Sequence, residues 1–146
     1  MVTQKYITDL TYRINGACIE VHKILGAGLA EIVYQKALEK EFEIRNIPFK
    51  SEFKISVIYK EQNLNCDFKC DFLIEDLIVL EIKSVSQTLD LHKFQVINYM
   101  NLLKAPKGIL INFNCRNIFN EGQKTYVNEY FKKLPHELEN YYCDDF

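Results

Sequence analysis

One stretch limits the fold more than any other: "CDFLIEDLIVLEIKS", from Cys70 to Ser84. With the residues around it, it forms two apolar runs, "CDFKCDFLI" and "LIVLEIKSV", joined by an acidic turn. Short apolar runs bounded by turn residues mark strands. The second is almost pure Leu, Ile and Val, the composition of a strand in a sheet core. Yet it carries Glu81 and Lys83. An acid and an amine in a buried strand are costly unless something pairs with them.

The pairing register decides what they meet. In the first strand Phe68, Cys70, Phe72 and Ile74 share one face, and Asp67, Lys69, Asp71 and Leu73 the other. In the second, Ile78, Leu80 and Ile82 lie opposite Val79, Glu81 and Lys83. A two-residue turn at Glu75-Asp76 would set Phe72 against Val79 and Cys70 against Glu81. A three-residue turn that includes Leu77 sets Ile74 against Ile78, Phe72 against Leu80 and Cys70 against Ile82. One face is then wholly apolar. A slip of one residue flips an entire strand, so hydrophobic matching selects the second register.

That register makes Asp71 and Glu81 cross-strand neighbours, with Cβ atoms about 4.5–5.5 Å apart. It also sets Lys69 opposite Lys83. Two carboxylates so close repel, so either one holds a proton or a cation sits between them. Lys83 projects from the same face as Glu81. Such a pair suits a hard divalent cation such as Mg²⁺, which takes one or two protein carboxylates and keeps several waters. The metal polarises a phosphoryl oxygen and acidifies a bound water. A lysine beside it orients that water or offsets charge on phosphorus. In outline this is a phosphodiester hydrolysis site.

The other elements follow from periodicity. Ile7, Leu10, Ile14, Ala17, Cys18, Val21 and Leu25 form one helical face over residues 6–25, stopped by "GAG" at 26–28. A second helix is expected from about Ala30 to Arg45, with Leu29, Val33, Ala37, Leu38, Glu41 and Phe42 inward. "FKSEFKISVIY" reads as one strand with Phe49, Phe53, Ile55, Val57 and Tyr59 on one face, and "KEQN" as a turn. A helix fits Asp90 to Leu103, "ILINF" is a short buried strand, and "KTYVNEYFKKL" suits strand or helix equally. The order is α-α-β-β-β-α-β, an α/β sandwich rather than a doubly wound fold.

Composition bounds the function. A chain of 146 residues, 48% hydrophobic and 26% charged, fits one soluble domain over 1–146 with an uncertain tail at 115–146. No apolar run is long enough for a membrane span. Five cysteines in no paired spacing suggest reduced thiols and a cytoplasmic protein. A net charge of −2 excludes a broad basic surface. Any nucleic-acid contact would be local.

Asp71, nine intervening residues and then Glu81-Ile82-Lys83 resembles the PD-(D/E)XK nuclease superfamily signature. Gln95 and Tyr99 resemble the Gln-x-x-x-Tyr motif of its RecB-like members. Gly28, Glu31 and Tyr34, within "VHKILGAGLAEIVYQKALEKEF", resemble the GxxExxY protein family, a branch of the same superfamily. The resemblance runs from about residue 7 to 114. It implies a restriction-endonuclease-like core, a mixed sheet flanked by helices. It also implies Mg²⁺ or Mn²⁺ on Asp71 and Glu81, with the Ile82 carbonyl and Glu31 as further ligands. Lys83 would be the catalytic lysine, Gln95 would orient it or the substrate, and Tyr34 and Tyr99 would contact the substrate. The implied partner is nucleic acid, with DNA favoured, and a homodimer would suit double-strand cleavage. The signature's Pro is replaced by Cys70, which the pattern assigns to the apolar face. The alternatives are a catalytically silent module of the same fold that binds protein or nucleic acid, and a phosphohydrolase of a small substrate.

Overall fold

The computed structural model describes residues 1–66 and 68–137. The acidic, aromatic end "YYCDDF", read as a solvated tail, lies outside the described residues. Helix α1 spans Gln4–Leu25. It opens where the Thr3 side chain accepts the Tyr6 N–H at 3.0 Å and ends at Gly26, φ 73°. Ile7, Leu10, Ile14, Ala17, Cys18 and Val21 are buried along its expected face. Helix α2 spans Glu31–Ile44. Its buried stripe is Tyr34, Gln35, Leu38 and Phe42, rotated from the expected one. Leu29 and Val33 are exposed, and Glu41 pairs with Arg45 at 2.8 Å. The stripe keeps Leu38 and Phe42 and rotates to enclose Tyr34, whose ring is larger than the Val33 side chain it displaces.

The remaining elements are β1 (Phe49–Ile55), β2 (Ile58–Tyr59), β3 (Gln62–Asn63), β4 (Phe68–Ile74), β5 (Ile78–Lys83), α3 (Asp90–Leu103), β6 (Lys107–Asn112), β7 (Gln123–Val127) and α4 (Glu129–Lys132). A single π-helical turn, Ile118–Gly122, precedes β7. Five strands form one mixed sheet in the order β1-β4-β5-β6-β7, parallel only between β5 and β6, where α3 makes the crossover. The run expected as a single strand ends at Ile55. Ile58 and Tyr59 pair instead with Gln62 and Asn63. Lys60 and Glu61 both take positive φ (47° and 66°), the backbone a tight two-residue hairpin needs. "KTYVNEYFKKL" resolves into both candidates. Its first part extends the sheet as β7. Asn128 then accepts the Phe131 N–H at 3.3 Å and starts α4.

Helices α1 and α2 bury one sheet face: Phe72, Ile74, Ile78, Leu80, Ile82, Ile109 and Ile111. Helix α3 covers the other, packing Val96, Tyr99 and Met100 on Ile55, Cys70, Leu73, Val79 and Leu110. Gly108 sets how closely α3 lies. A Cβ there would fall 2.5 Å from both Met100 Sδ and Val96 Cγ1.

The central hairpin takes the expected register at Ile74–Ile78 and Phe72–Leu80. Beyond Phe72 the ladder opens, and the expected Asp71–Glu81, Cys70–Ile82 and Lys69–Lys83 pairs do not form as ladder pairs. On its other side β4 pairs through Ser51–Phe72 and Phe53–Cys70, skipping Glu52–Asp71. Glu52 sits at φ 50°. Both strands kink at this one step and exchange faces. Phe49 packs toward α1 and α2, whereas Phe53, Ile55 and Cys70 pack under α3. Strict alternation, which put Cys70 with Phe72 and Phe49 with Phe53, fails here because one residue on each strand has left the sheet geometry.

Candidate active site

Asp71 is the residue that left. Its N–H donates to Glu81 Oε1 at 2.9 Å, and its own Oδ2 accepts the Ile82 N–H at 2.8 Å. Each carboxylate thus takes a backbone donor of the opposite strand. The two side chains stand in for the ladder bonds that would have closed the hairpin. The Asp71 carbonyl, freed on the β1 side, accepts from Gln35 Nε2 at 3.1 Å. Buried backbone groups must find partners, and here side chains supply both. Gln35 also donates to Ser51 Oγ at 2.9 Å, and Ser51 Oγ donates to Glu39 Oε1 at 2.5 Å. Helix α2 therefore clamps the kink.

The electrostatics follow from burial. Glu81 is only 3% exposed. Burial, then the Asp71 carboxylate, push its carboxyl up to about 9. Burial raises the Asp71 carboxyl as well, against the Ile82 N–H that favours its charge. Lys83 favours the charged form of both. Burial and mutual repulsion thus both favour the protonated form of the pair, the direction expected of adjacent carboxylates.

Glu31 opens α2 at the edge of this site. Burial raises its carboxyl, Lys83 opposes that, and Asp71 adds to it, so all three groups lie within electrostatic reach. The loop that aims it is tightly held. Gly26 and Gly28 take φ 73° and 93°, where a side chain would be strained. Ser84 Oγ donates to the Leu29 carbonyl at 2.6 Å, tying the loop to the end of β5. Tyr34 is wholly buried, stacked on Phe113 with ring centroids 4.4 Å apart. Its hydroxyl donates to the Gly26 carbonyl at 2.6 Å and accepts the Leu29 N–H at 3.2 Å. This corrects the expectation that Tyr34 contacts substrate: an enclosed, internally bonded ring is a strut for the loop.

Gln95 and Tyr99 share a face of α3, and Gln95 Nε2 donates to the Tyr99 hydroxyl at 2.9 Å. Gln95 thus engages Tyr99 rather than Lys83. Burial, and then the charges of Glu81 and Asp71, raise the Tyr99 hydroxyl against the Gln95 bond, so the ring lies within electrostatic reach of the acid pair.

The donor set fits a hard divalent cation. Asp71 and Glu81 offer carboxylate oxygens. The Lys83 carbonyl accepts the Phe113 N–H at 2.8 Å on the β6 side. Its neighbour Ile82 therefore directs its backbone groups toward β4, where the ladder has opened. Two carboxylates and one carbonyl leave room for the waters that Mg²⁺ retains. Among the described residues no group of three acidic, His or Cys side chains forms a metal cluster. Glu31 lies within electrostatic reach of the pair, at the N-terminus of α2. The cysteines at 18, 66, 70 and 115 are free thiols, and His22 bonds the Cys115 carbonyl at 2.8 Å.

Residue-type reading overlooked Gln35, Ser51, Glu39 and Asn112. A signal existed for Gln35: it falls on the Glu31-Tyr34-Leu38-Phe42 stripe and is 4% exposed. Asn112, opposite Lys83 in the parallel ladder, bonds both the Val85 N–H (3.2 Å) and the Val85 carbonyl (2.9 Å). It fixes the chain just beyond the lysine.

No helix among the described residues is long and apolar enough to cross a membrane. The chain resembles the crystal structure of SSO0001 with a TM-score of 0.51 and 22% identity, over 66% of this chain and 48% of that one. It thus spans about half of that structure's length, and the likeness concerns the fold. No curated protein matches. A family profile described as the PD-(D/E)XK nuclease superfamily matches residues 8–125, from the first turns of α1 to the middle of β7. With the mixed sheet, its flanking helices and the acid pair at the open end of the central hairpin, this match leads to one conclusion: the chain belongs to the PD-(D/E)XK nuclease superfamily.

Proposed function

We propose that the protein is a metal-dependent nuclease that hydrolyses phosphodiester bonds, with DNA as the favoured substrate. The observation that carries this reading is the cross-braced Asp71–Glu81 pair, a buried and a half-buried carboxyl held side by side where a cation would satisfy them. Asp71, Glu81 and the Ile82 carbonyl would hold Mg²⁺ or Mn²⁺. When bound, the ion polarises a phosphoryl oxygen and acidifies the attacking water. Lys83 places an ammonium beside both acids and offsets negative charge building on the phosphorus. Tyr99 and Gln95 line a cleft along α3, where a nucleic-acid strand would lie. Glu31 adds a negative end that orients Lys83. Gly28, Glu31 and Tyr34 act as turn, acid and strut, which gives the GxxExxY pattern a physical sense and supports placing the chain in that branch.

The test is cleavage of supercoiled plasmid and of labelled single strands with Mg²⁺ or Mn²⁺, combined with Mn²⁺ titration by calorimetry. Wild type cuts, while Lys83→Ala and Glu81→Ala retain the fold and do not. Equal cleavage by all three, or no cleavage and no Mn²⁺ binding by wild type, refutes the proposal. The latter result would favour the catalytically silent module.

A further inference from the structure

Between α3 and the strand ends that face it lies a cleft of about 580 Å³. That is within the ~300–1,000 Å³ of small-molecule sites. Its walls include Phe68, Phe94, Gln95, Asn98 and Tyr99. Phe68 and Phe94 are 44% and 56% exposed. Clustered apolar exposure of this kind marks a surface that binds something. The cleft neighbours the acid pair: Tyr99 stands in its wall and lies within electrostatic reach of Asp71 and Glu81.

Two further observations select the occupant. The rings are accompanied by amides: Gln95 and Asn98 are i,i+3 on one helix face, suited to hydrogen-bond a flat heterocycle at its edge. The chain carries a net charge of −2, so affinity for a polyanion cannot come from a broad basic surface. Rings for stacking and amides for an edge together match one nucleobase.

We propose that this cleft receives an unpaired nucleobase, so that the substrate is single-stranded or locally unpaired nucleic acid. The inference rests on the nuclease reading above and narrows its substrate class. In a duplex both faces of every base are already stacked, and presenting one to Phe68 and Phe94 would require unstacking it. A free strand offers its bases without that cost, and stacking on aromatic rings supplies the affinity that charge does not.

The test is fluorescence anisotropy of labelled 12-mers in EDTA, where no cleavage intervenes. The ligands are single-stranded DNA, single-stranded RNA, duplex DNA of the same sequence, and an abasic strand of equal charge. Single strands of either sugar bind at least about tenfold tighter than duplex and abasic strands. Phe94→Ala and Phe68→Ala each weaken single-strand binding by about tenfold, the scale of one lost stack. Both rings are substantially exposed, so the variants fold, and circular dichroism checks this. Equal affinity for all ligands, or unchanged affinity in both variants, overturns the proposal. So does a wild-type dimer in sedimentation that Phe94→Glu converts to a monomer, since a second copy would then fill the cleft. Tight single-strand binding without cleavage in Mn²⁺ would uphold the cleft and refute the nuclease. Equal cutting of duplex and single strands by wild type and Phe94→Ala would do the reverse.

Discussion

Replacing Glu81 with Gln isolates the buried charge from everything else it touches. The amide oxygen still accepts the Asp71 N–H that Glu81 Oε1 accepts at 2.9 Å, and the side-chain shape is kept. Only the titration is lost. In the folded protein the Glu81 carboxyl sits at about 9, whereas its ordinary value is 4.5. Between those values the folded chain holds a proton that the unfolded chain has released. Stability is therefore fully present below about pH 4.5 and falls as pH rises toward 9. The slope is at most about 1.4 kcal/mol per pH unit. From pH 5 to pH 8 the wild type loses up to about 4 kcal/mol, or ~8–16 °C of melting temperature at ~2–4 °C per kcal/mol. Glu81→Gln loses none of that, so its melting temperature exceeds that of wild type at pH 8 in EDTA and converges with it at pH 5. Mn²⁺ at a hundred times its dissociation constant then stabilises wild type by about 2.7 kcal/mol and leaves the variant unmoved. Thermal melts followed by circular dichroism at pH 5, 6, 7 and 8, with EDTA or Mn²⁺, read all of this. Parallel pH profiles for the two proteins would show that Glu81 is ionised in the folded state, and the argument for a cation-seeking pair would fail.

Gln35→Leu keeps the volume but removes the donors to the Asp71 carbonyl and Ser51. It should cost about 1–3 kcal/mol and weaken Mn²⁺ binding about tenfold or more. Unchanged Mn²⁺ affinity in calorimetry would make Gln35 a packing residue only. Tyr34→Phe leaves the Gly26 carbonyl and the Leu29 N–H without their partner and should cost about 1–3 kcal/mol in urea melts. A neutral effect would remove the strut role. Gly108→Ala forces Met100 and Val96 apart, with an expected loss of about 1–3 kcal/mol that Met100→Ala partly restores. Additive losses in the double variant would mean that α3 does not press on this point.

How much of this was written in the chain order can be judged residue by residue. The apolar matching of Phe72 with Leu80 and Ile74 with Ile78 fixed the hairpin register, because a slip would have buried charge. Register alone brought Asp71 to Glu81 and left Lys83 alongside. The i,i+3 and i,i+4 spacing of α1 predicted its buried face for the same reason: burial follows periodicity when a helix is straight. The kink at Glu52 and Asp71 was not legible. Alternation assumes an unbroken pleat, and no local pattern announces that two carboxylates will replace ladder bonds. The inward turn of Gln35, the enclosure of Tyr34 and the shared wall of cleft and acid pair were also beyond it. Each depends on residues far apart in sequence meeting across α2, β4, β5 and α3. The sequence by itself determined the hairpin register from Ile74–Ile78 to Phe72–Leu80 and which acids become neighbours. Only the tertiary structure decided that Glu81 is buried, that the two acids brace each other's strands, and that both carboxyls are raised, because desolvation belongs to the packed whole and not to any one strand.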